Sequence, residues 1–197
     1  MNLVHNLHSL ALPFSGIGKL VIASYGEDPT TGNSLLPQVR HFSIGDVNDC
    51  LAVINLLGTE RHRNVYAPLA VFRPDLPEGK KGGETDILGV LGLVADFDDA
   101  EAANWPTRLP LPPDYVLETS PGRFQCGYLF DSPVTVAEAK ALGTALKNQA
   151  QCDHGTADMS HVWRLPDTLN WPNAKKVKGG RSTEPWTVRT LHCSAAP

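Results

Sequence analysis

Residues 87–99 read Ile-Leu-Gly-Val-Leu-Gly-Leu-Val-Ala-Asp-Phe-Asp-Asp, an apolar run of strand length that closes on acidic residues. Only Gly89 and Gly92 interrupt the run, so the pattern predicts a strand that is buried on both faces and whose end reaches solvent. Side chains alternate along a strand, which puts Asp96 and Asp98 on one face and Phe97 on the other. We expect the rest of the fold to be organised around this strand.

The two aspartates form a candidate metal site. Neighbouring carboxylates repel each other, and a cation between them relieves the repulsion. Carboxylate oxygens are the ligands that hard ions such as Mg²⁺ and Mn²⁺ prefer. The alternative is a solvated strand end that turns into a helix capped by Asp98 or Asp99. The Asp-x-Asp pattern does not decide between these two interpretations by itself.

The composition is that of an ordinary globular protein. The chain has 197 residues, of which 42% are hydrophobic and 19% charged, and its net charge is −4. It can bury a core in one domain or in two fused subdomains, and its charge excludes a surface that is basic throughout but not a local basic groove. The cysteines lack close pairs with metal-ligand spacing, which is typical of reduced thiols. They are Cys50, Cys126, Cys152 and Cys193.

Strands and helices alternate along the chain, which predicts one α+β domain built from two subdomains. The order strand, turn, strand, helix, strand after the acidic strand predicts a sheet with helices packed on one side in the C-terminal part. The patterns predict strands at 19–24, 38–44, 64–72, 115–119, 124–130 and 186–191, and helices at 47–57 and 136–150. Pro68 suggests an edge position or a bulge in the third strand, and Thr135 with Glu138 predicts a capping box. No apolar stretch reaches the length of a membrane span and no signal peptide is visible, so we expect a soluble, cytoplasmic protein without a membrane partner.

A third carboxylate would turn the acidic pair into a two-metal site. Asp153 is the preferred candidate, because it follows a predicted helix and precedes a strand containing Trp-Arg-Leu-Pro. Two metals about 4 Å apart can hold an attacking hydroxyl and a leaving pyrophosphate. Asp158 is the competing choice, and its ordinary role is that of a cap or a surface acid.

Three further groups of residues could bind phosphate. The turn Ser120-Pro-Gly-Arg-Phe-Gln offers a hydroxyl, backbone amides, the Arg123 guanidinium and the Gln125 amide, although the same residues also make a simple hairpin. Arg164 lies on a predicted strand, where an inward arginine pairs with a structural carboxylate or a phosphate. The late cations match a basic patch that follows a nucleic-acid backbone, although a charge run is more often a solvated face. They are Lys175, Lys176, Lys178 and Arg181.

Taken in order, these segments resemble the archaeo-eukaryotic primase (AEP) superfamily, nearest to its RepB-like and primase-polymerase branch from plasmids, phages and mobile elements. The similarity spans roughly residues 60–182. The matching segments are Val-Ala-Asp96-Phe-Asp98, Glu-Thr-Ser120-Pro-Gly-Arg-Phe-Gln125, Cys-Asp153-His-Gly-Thr-Ala-Asp158 and Trp-Arg164-Leu-Pro-Asp-Thr-Leu-Asn170-Trp-Pro-Asn-Ala-Lys-Lys176. The resemblance implies one catalytic domain over residues 1–197. In it an N-terminal α/β subdomain, about 1–85, is fused to a modified RRM-like sheet with helices, about 86–197.

The resemblance also implies roles for the candidate residues. By position, Asp96, Asp98 and Asp153 would bind two Mg²⁺ or Mn²⁺ ions and carry the catalysis. Ser120, Arg123, Gln125 and Arg164 would bind the nucleotide, and Lys175, Lys176 and Arg181 the nucleic acid. Gln125 departs from the histidine of many members, since it can donate a hydrogen bond but cannot be cationic. Asp167 replaces a usual glycine and adds an acid near the expected nucleic-acid surface.

The leading hypothesis is therefore a template-dependent DNA primase or primase-polymerase. Its partners would be nucleoside triphosphates, a single-stranded DNA template and primer, and a helicase, either fused or separate. One alternative is a catalytically silent nucleic-acid-binding module for replication initiation with the same fold. Another is a metal-dependent phosphodiesterase that uses the same acids.

Overall fold

The computed structural model describes residues 3–193. Its helices are α1 (Leu3–Leu10), α2 (Val47–Gly58), α3 (Trp105–Arg108), α4 (Val136–Ala150) and α5 (Ala174–Lys178). Its strands are β1 (Lys19–Gly26), β2 (Gln38–Ser43), β3 (Arg63–Ala67), β4 (Ala70–Phe72), β5 (Ile87–Phe97), β6 (Tyr115–Ser120), β7 (Arg123–Val134), β8 (Trp163–Arg164), β9 (Leu169–Asn170), β10 (Trp186–Thr187) and β11 (Arg189–Cys193). Short 3-10 helices include His154–Ala157. In this part of the chain, no helix combines the length and the apolar character that a membrane crossing needs.

One nine-stranded sheet organises the molecule. Its strands follow the order β11-β6-β7-β5-β4-β1-β3-β8, β2 pairs with the free side of β1, and β9 and β10 form a separate ribbon. The strand pairs are antiparallel. The acidic strand β5 lies near the middle, between β4 and β7, and it is buried from Gly89 to Ala95. The prediction of a strand covered on both faces is confirmed.

Apolar side chains of β5 alternate between two clusters, one on each face of the sheet. Leu91 and Val94 contact the cluster that contains the buried residues of α1 and α2. Leu93, Ala95 and Phe97 lie in the cluster that contains the buried residues of α4. Helices therefore cover both faces of the sheet, and the one-sided arrangement predicted for the C-terminal part describes only the face on which α4 packs. The same sheet continues through the β4–β5 pair, and the subdomain boundary near residue 85 stays a prediction.

Local sequence signals account for some elements and fail for others. The capping box of α4 is confirmed, since Thr135 Oγ1 accepts from the Glu138 N–H and Glu138 Oε2 accepts from the Thr135 N–H. The interruption predicted at Pro68 is confirmed, since this proline lies in a break between β3 and β4. The pairs Tyr66–Ala23 and Phe72–Lys19 show that this segment has extra residues opposite β1, as in a bulge. The alternative of an edge position is wrong, because both strands are paired on two sides. The predicted strand 186–191 is two strands, because β10 pairs with β9 whereas β11 pairs with β6.

Gly92 lies on β5 beside an irregularity in the register between β5 and β7. A Cβ at Gly92 would collide with the backbone carbonyl of Tyr128, which cannot move without breaking the sheet. We expect Gly92→Ala to lower the free energy of unfolding by at least about 2 kcal/mol in urea titrations. The matched control is Gly58→Ala at the end of α2, where a Cβ meets nothing within 4 Å. This control should raise stability by up to about 1 kcal/mol. Equal stability of the two variants would show that the backbone of β7 leaves room for a side chain at Gly92.

Candidate functional site

Three aspartates from distant parts of the chain converge at the end of β5. Asp96 lies on β5 and Asp98 immediately follows it, while Asp153 follows α4. The backbone N–H of Asp153 donates to the carbonyl oxygen of Asp96 at 2.9 Å, which fixes the two residues side by side. Asp96 is partly buried, whereas Asp98 and Asp153 are exposed. The structure thus brings together the acids that the sequence predicts.

The pKa of Asp96 shows how strongly these charges interact. Burial raises it most, the neighbouring Asp98 and Asp153 carboxylates raise it further, and the result is a value of about 7 instead of 3.8. A hydrogen bond from Gln125 and the charge of Arg164 oppose the rise. A buried carboxylate surrounded by like charges favours its protonated form unless a cation is near.

The other two carboxylates have partners within the protein. Asp98 Oδ1 lies 3.0 Å from Arg123 Nε. Asp153 Oδ1 accepts from the Gly155 N–H at 2.8 Å, which caps the 3-10 helix, and lies 3.3 Å from His154 Nδ1. Over residues 3–193, no three His, Cys, Asp or Glu side chains are arranged to hold a metal ion. The donor set fits Mg²⁺ or Mn²⁺ chemically, but Asp98 and Asp153 would have to exchange these partners for the ion.

Gln125 connects the acids to the cations. It is buried on β7 and lies opposite Asp96 in the register of the sheet. Its Oε1 accepts from the backbone N–H of Arg164 at 3.1 Å, and its side chain also hydrogen-bonds to Asp96. Because Oε1 is an acceptor, the amide NH₂ is the group that faces the carboxylate. A single side chain thus bonds to both β5 and β8.

Arg164 carries a buried positive charge. It lies on β8 opposite Tyr66 of β3, and its guanidinium carbon lies 4.5 Å from the centre of the Tyr66 ring. Burial is the main cause that lowers the pKa of Arg164. Its Nη1 is buried and has no hydrogen-bond partner among the described residues. The group can therefore bind an anion that the protein itself does not supply.

Arg164, Lys176 and Arg181 form a cation cluster. Burial lowers the pKa of Lys176 most, and the charges of Arg181 and Arg164 lower it further, while Asp98 opposes the shift. Arg181 donates from Nη2 to Ser120 Oγ at 2.7 Å, which connects the cluster to the turn between β6 and β7. Lys175 and Lys176 are both exposed, whereas Arg164 and Arg181 are partly buried. The cluster lies close enough to the acids for Asp96 and Asp98 to stabilise its charge.

The choice between Asp153 and Asp158 follows from the local contacts. Asp158 Oδ1 accepts from the Ser160 N–H and hydroxyl, both at 2.9 Å, and its carboxylate interacts with Lys81 and His161. It is absent from the charges that shift the pKa of Asp96, whereas Asp153 is among them. Asp158 therefore acts as a local cap, which is the ordinary role expected for it, and not as the third carboxylate beside Asp96.

Sequence reasoning missed a polar cleft beside the cation cluster, with a volume of about 300 Å³. One wall comes from β1, β3 and the turn before β3, and the other from β8, β9 and the start of α5. Its lining residues include Tyr25, His62, Asn64, Tyr66, Arg164, Trp171 and Lys176. No motif marks the N-terminal wall, and the resemblance begins only near residue 60. Tyr66 and Arg164 meet only because β3 pairs with β8.

No family model matches the sequence, and no curated protein matches it. Solved structures do match the fold. The AEP domain of the cyanophage S-2L primase-polymerase superposes with a TM-score of 0.57 at 16% identity, covering 89% of this chain and 82% of that one. Primase RepB′ gives 0.54 at 16% identity, with 96% and 56% covered. The catalytic domain of primase RepB′ in complex with initiator DNA gives 0.52 at 14% identity, with 96% and 85% covered.

These matches define the class of structure: an α+β catalytic-domain fold of the archaeo-eukaryotic primase type, as the resemblance implied. The fold expectation is confirmed. The chain spans little more than half of the first RepB′ chain, 56% of its length. At these identities the likeness concerns the fold, so the roles of individual residues rest on the geometry described above.

The raised pKa of Asp96 predicts a pH dependence of stability in the absence of divalent ions. Between about pH 4 and pH 7 the folded state binds more protons than the unfolded state, so the stabilisation is complete below the unfolded pKa and is lost as pH rises through 7. A shift of about 3 units corresponds to a loss on the order of 4 kcal/mol. Asp96→Asn should flatten this part of the profile.

Urea denaturation in EDTA from pH 4 to pH 8 measures the effect. The control is Asp131→Asn, which changes an exposed aspartate towards the other end of β7. This control should keep the wild-type slope. An Asp96→Asn profile as steep as that of the wild type would show that Asp96 does not carry the raised pKa.

Proposed function

We propose that this chain is a template-dependent primase or primase-polymerase, a nucleotidyltransferase that uses nucleoside triphosphates. One observation carries the proposal: a cluster of carboxylates lies against a cluster of cations that is centred on Arg164. The carboxylates Asp96, Asp98 and Asp153 attract divalent cations, and Arg164 with its neighbours attracts a polyanion. A nucleoside triphosphate with its divalent ions satisfies both clusters at once.

In this proposal the three aspartates hold two Mg²⁺ or Mn²⁺ ions. The ions would lower the pKa of an attacking 3′ hydroxyl and neutralise charge on the leaving pyrophosphate. The donor set of carboxylate oxygens fits them, and the raised pKa of Asp96 indicates that a cation would favour its ionised form.

The cationic side chains of the protein would bind and position the phosphates. Arg164 is the central anion-binding group, because it is buried and has an unpartnered nitrogen. Gln125 would orient Arg164 and Asp96 relative to each other through its two hydrogen bonds. Ser120 and Arg123 would bind the triphosphate near the β6–β7 turn. Positioning and charge stabilisation are the main contributions that a protein makes to phosphoryl chemistry.

A DNA template and primer would bind beside the cations. Lys176 and Arg181 are near Arg164, and exposed Lys175 adds to the positive surface of α5. The match to a RepB′ catalytic domain in complex with initiator DNA supports DNA as the polymer. A helicase partner and an origin in a plasmid, phage or other mobile element also belong to the proposal.

One observation favours a second candidate, the catalytically silent binding module. Asp98 is paired with Arg123, and Asp153 caps a 3-10 helix. A protein that only binds DNA would keep these contacts permanently. Such a module binds DNA equally well with EDTA or Mn²⁺, and it does not extend primers.

The first test of function is primer extension by Asp98→Asn. With labelled primer, template, Mn²⁺ and nucleoside triphosphates, we expect at least a hundredfold loss of incorporation, because an exposed metal ligand is lost while the core is untouched. Asp131→Asn, with the same chemical change at a distant exposed position, should extend at the wild-type rate. Extension by Asp98→Asn at that rate would refute the metal role. Degradation of the labelled strand by the wild type would instead indicate the phosphodiesterase.

Thermal unfolding tests the metal site without a reaction. Mn²⁺ should raise the melting temperature of the wild type in a concentration-dependent way, because a ligand that binds only the folded state stabilises it. Asp98→Asn should lose most of this shift, whereas Asp131→Asn should keep it. The same shift in all three proteins would mean that the ion binds elsewhere.

A further inference from the structure

The polar cleft is built by residues that are held firmly in place. Asn64 fixes the backbone of Trp171 from both sides: its Oδ1 accepts from the Trp171 N–H at 2.6 Å, and its Nδ2 donates to the Trp171 carbonyl at 3.2 Å. The His62 ring lies 4.5 Å from the Trp171 ring. The orientation of the indole is therefore set by two residues on the opposite wall of the cleft.

The turn that carries His62 is strained. His62 has a φ of +62°, a left-handed conformation that residues other than glycine seldom adopt. Gly26 of β1 permits the turn to pack closely, since a Cβ there would overlap the His62 carbonyl oxygen. Strain of this kind persists where the surrounding structure needs a residue in one place, and such positions concentrate at functional sites.

Two residues that line the cleft each carry a buried donor with no acceptor in the described part of the chain. The indole Nε1 of Trp171 is buried and makes no hydrogen bond, and the same is true of Arg164 Nη1. Both residues line the cleft. Buried N–H groups without partners are rare in folded proteins, so a pair of them around one cavity indicates a ligand that brings acceptors.

The Arg164 guanidinium is held from one side by an aromatic ring. Tyr66 lies opposite Arg164 in the β3–β8 register, and its ring lies 4.5 Å from the guanidinium carbon. A ring stacked on one face leaves the N–H groups at the edge of the guanidinium available for hydrogen bonds in its plane. Tyr66 thus orients a donor without using it.

We propose that this cleft is a phosphate-recognition site, in which the Trp171 indole N–H donates directly to a phosphate oxygen and the Tyr66 ring positions Arg164 to donate beside it. The charges favour an anion, because Arg164 and Lys176 line the cleft. The Glu27 carboxylate, which also lines the cleft, accepts from the Ala174 N–H at 2.9 Å. The choice of phosphate as the ligand rests on the proposed function, in which it is the tail of a nucleoside triphosphate.

Binding of inorganic tripolyphosphate, measured by calorimetry in EDTA, tests the site without metal or catalysis. Trp171→Phe keeps an aromatic ring and removes the N–H, so we expect about tenfold weaker binding. Trp105→Phe, the same change on α3 and outside the cleft, should bind as the wild type does. Trp171→Phe with wild-type affinity would overturn the direct role of the indole.

The role of Tyr66 is tested by a pair of variants. Tyr66→Phe keeps the ring over Arg164 and should bind tripolyphosphate as the wild type does. Tyr66→Leu removes the ring and should bind about tenfold more weakly, with an unchanged circular dichroism spectrum. Equal affinity of Tyr66→Leu and the wild type would overturn the positioning role. If Tyr66→Leu does not fold, the Trp171 pair still decides whether the cleft binds phosphate.

The affinity of Trp171→Phe for different ligands identifies the source of the phosphate. A loss in Trp171→Phe confined to tripolyphosphate and nucleoside triphosphate indicates the nucleotide tail, and a loss extending to a short single-stranded oligonucleotide indicates a strand phosphodiester. In primer extension, Trp171→Phe should raise the KM for nucleotide about tenfold with little change in kcat.

Failure of the two proposals can be told apart. If the wild type binds tripolyphosphate but extends no primer, the proposed function is refuted and the phosphate site is retained. If the wild type extends primers and Trp171→Phe binds tripolyphosphate normally, only the phosphate site is refuted.

Discussion

The structure of the site depends on the backbone hydrogen bond from Asp153 to the carbonyl of Asp96. It joins the segment after α4 to the end of β5, and α4 is itself packed on β5 through buried residues such as Ala139 and Leu146. Asp96 is paired with Gln125 of β7, and Phe97 with Phe124, so the end of β5 is held in the sheet beside the other carboxylates. The repulsion therefore remains in the folded protein, where it adds to burial, the main cause of the raised pKa of Asp96.

A second specific contact, made by the side chain of Gln125, holds Arg164 beside the acids. In the sheet β8 pairs with β3, far along the strand order from β5 and β7. The Gln125 side chain bridges this gap by accepting from the Arg164 backbone and bonding to Asp96. An amide suits this position because it offers an acceptor and donors without a charge of its own. Each cluster is unfavourable by itself, and their closeness offsets part of the cost of both.

Periodicity and order predicted the parts of the site that lie on long elements. The apolar run of β5, the capping box of α4 and the position of Asp153 after that helix are local signals, and all led to the right geometry. The two-residue strand β9 was not predicted and β10 was not separated from β11, because such short strands contain too few residues to show a pattern. Tyr66 and Trp171 were missed for a different reason: their neighbours are set by pairing between distant segments and by a strained turn at His62.

The charge of Asp98 can be neutralised in two ways, by the Arg123 guanidinium that pairs with it in the structure or by a divalent ion. The guanidinium supplies one positive charge to an exposed carboxylate, and a divalent ion would supply two. Arg123 also donates to the carbonyl of Asp99 at 2.5 Å, so it can keep one contact to this loop when its carboxylate partner is taken. An ion that binds Asp98 would thus free Arg123 for phosphate oxygens that arrive with the ion. The predicted phosphate role of Arg123 and its observed pairing with Asp98 are therefore compatible, since they describe the same residue before and after its carboxylate partner is exchanged.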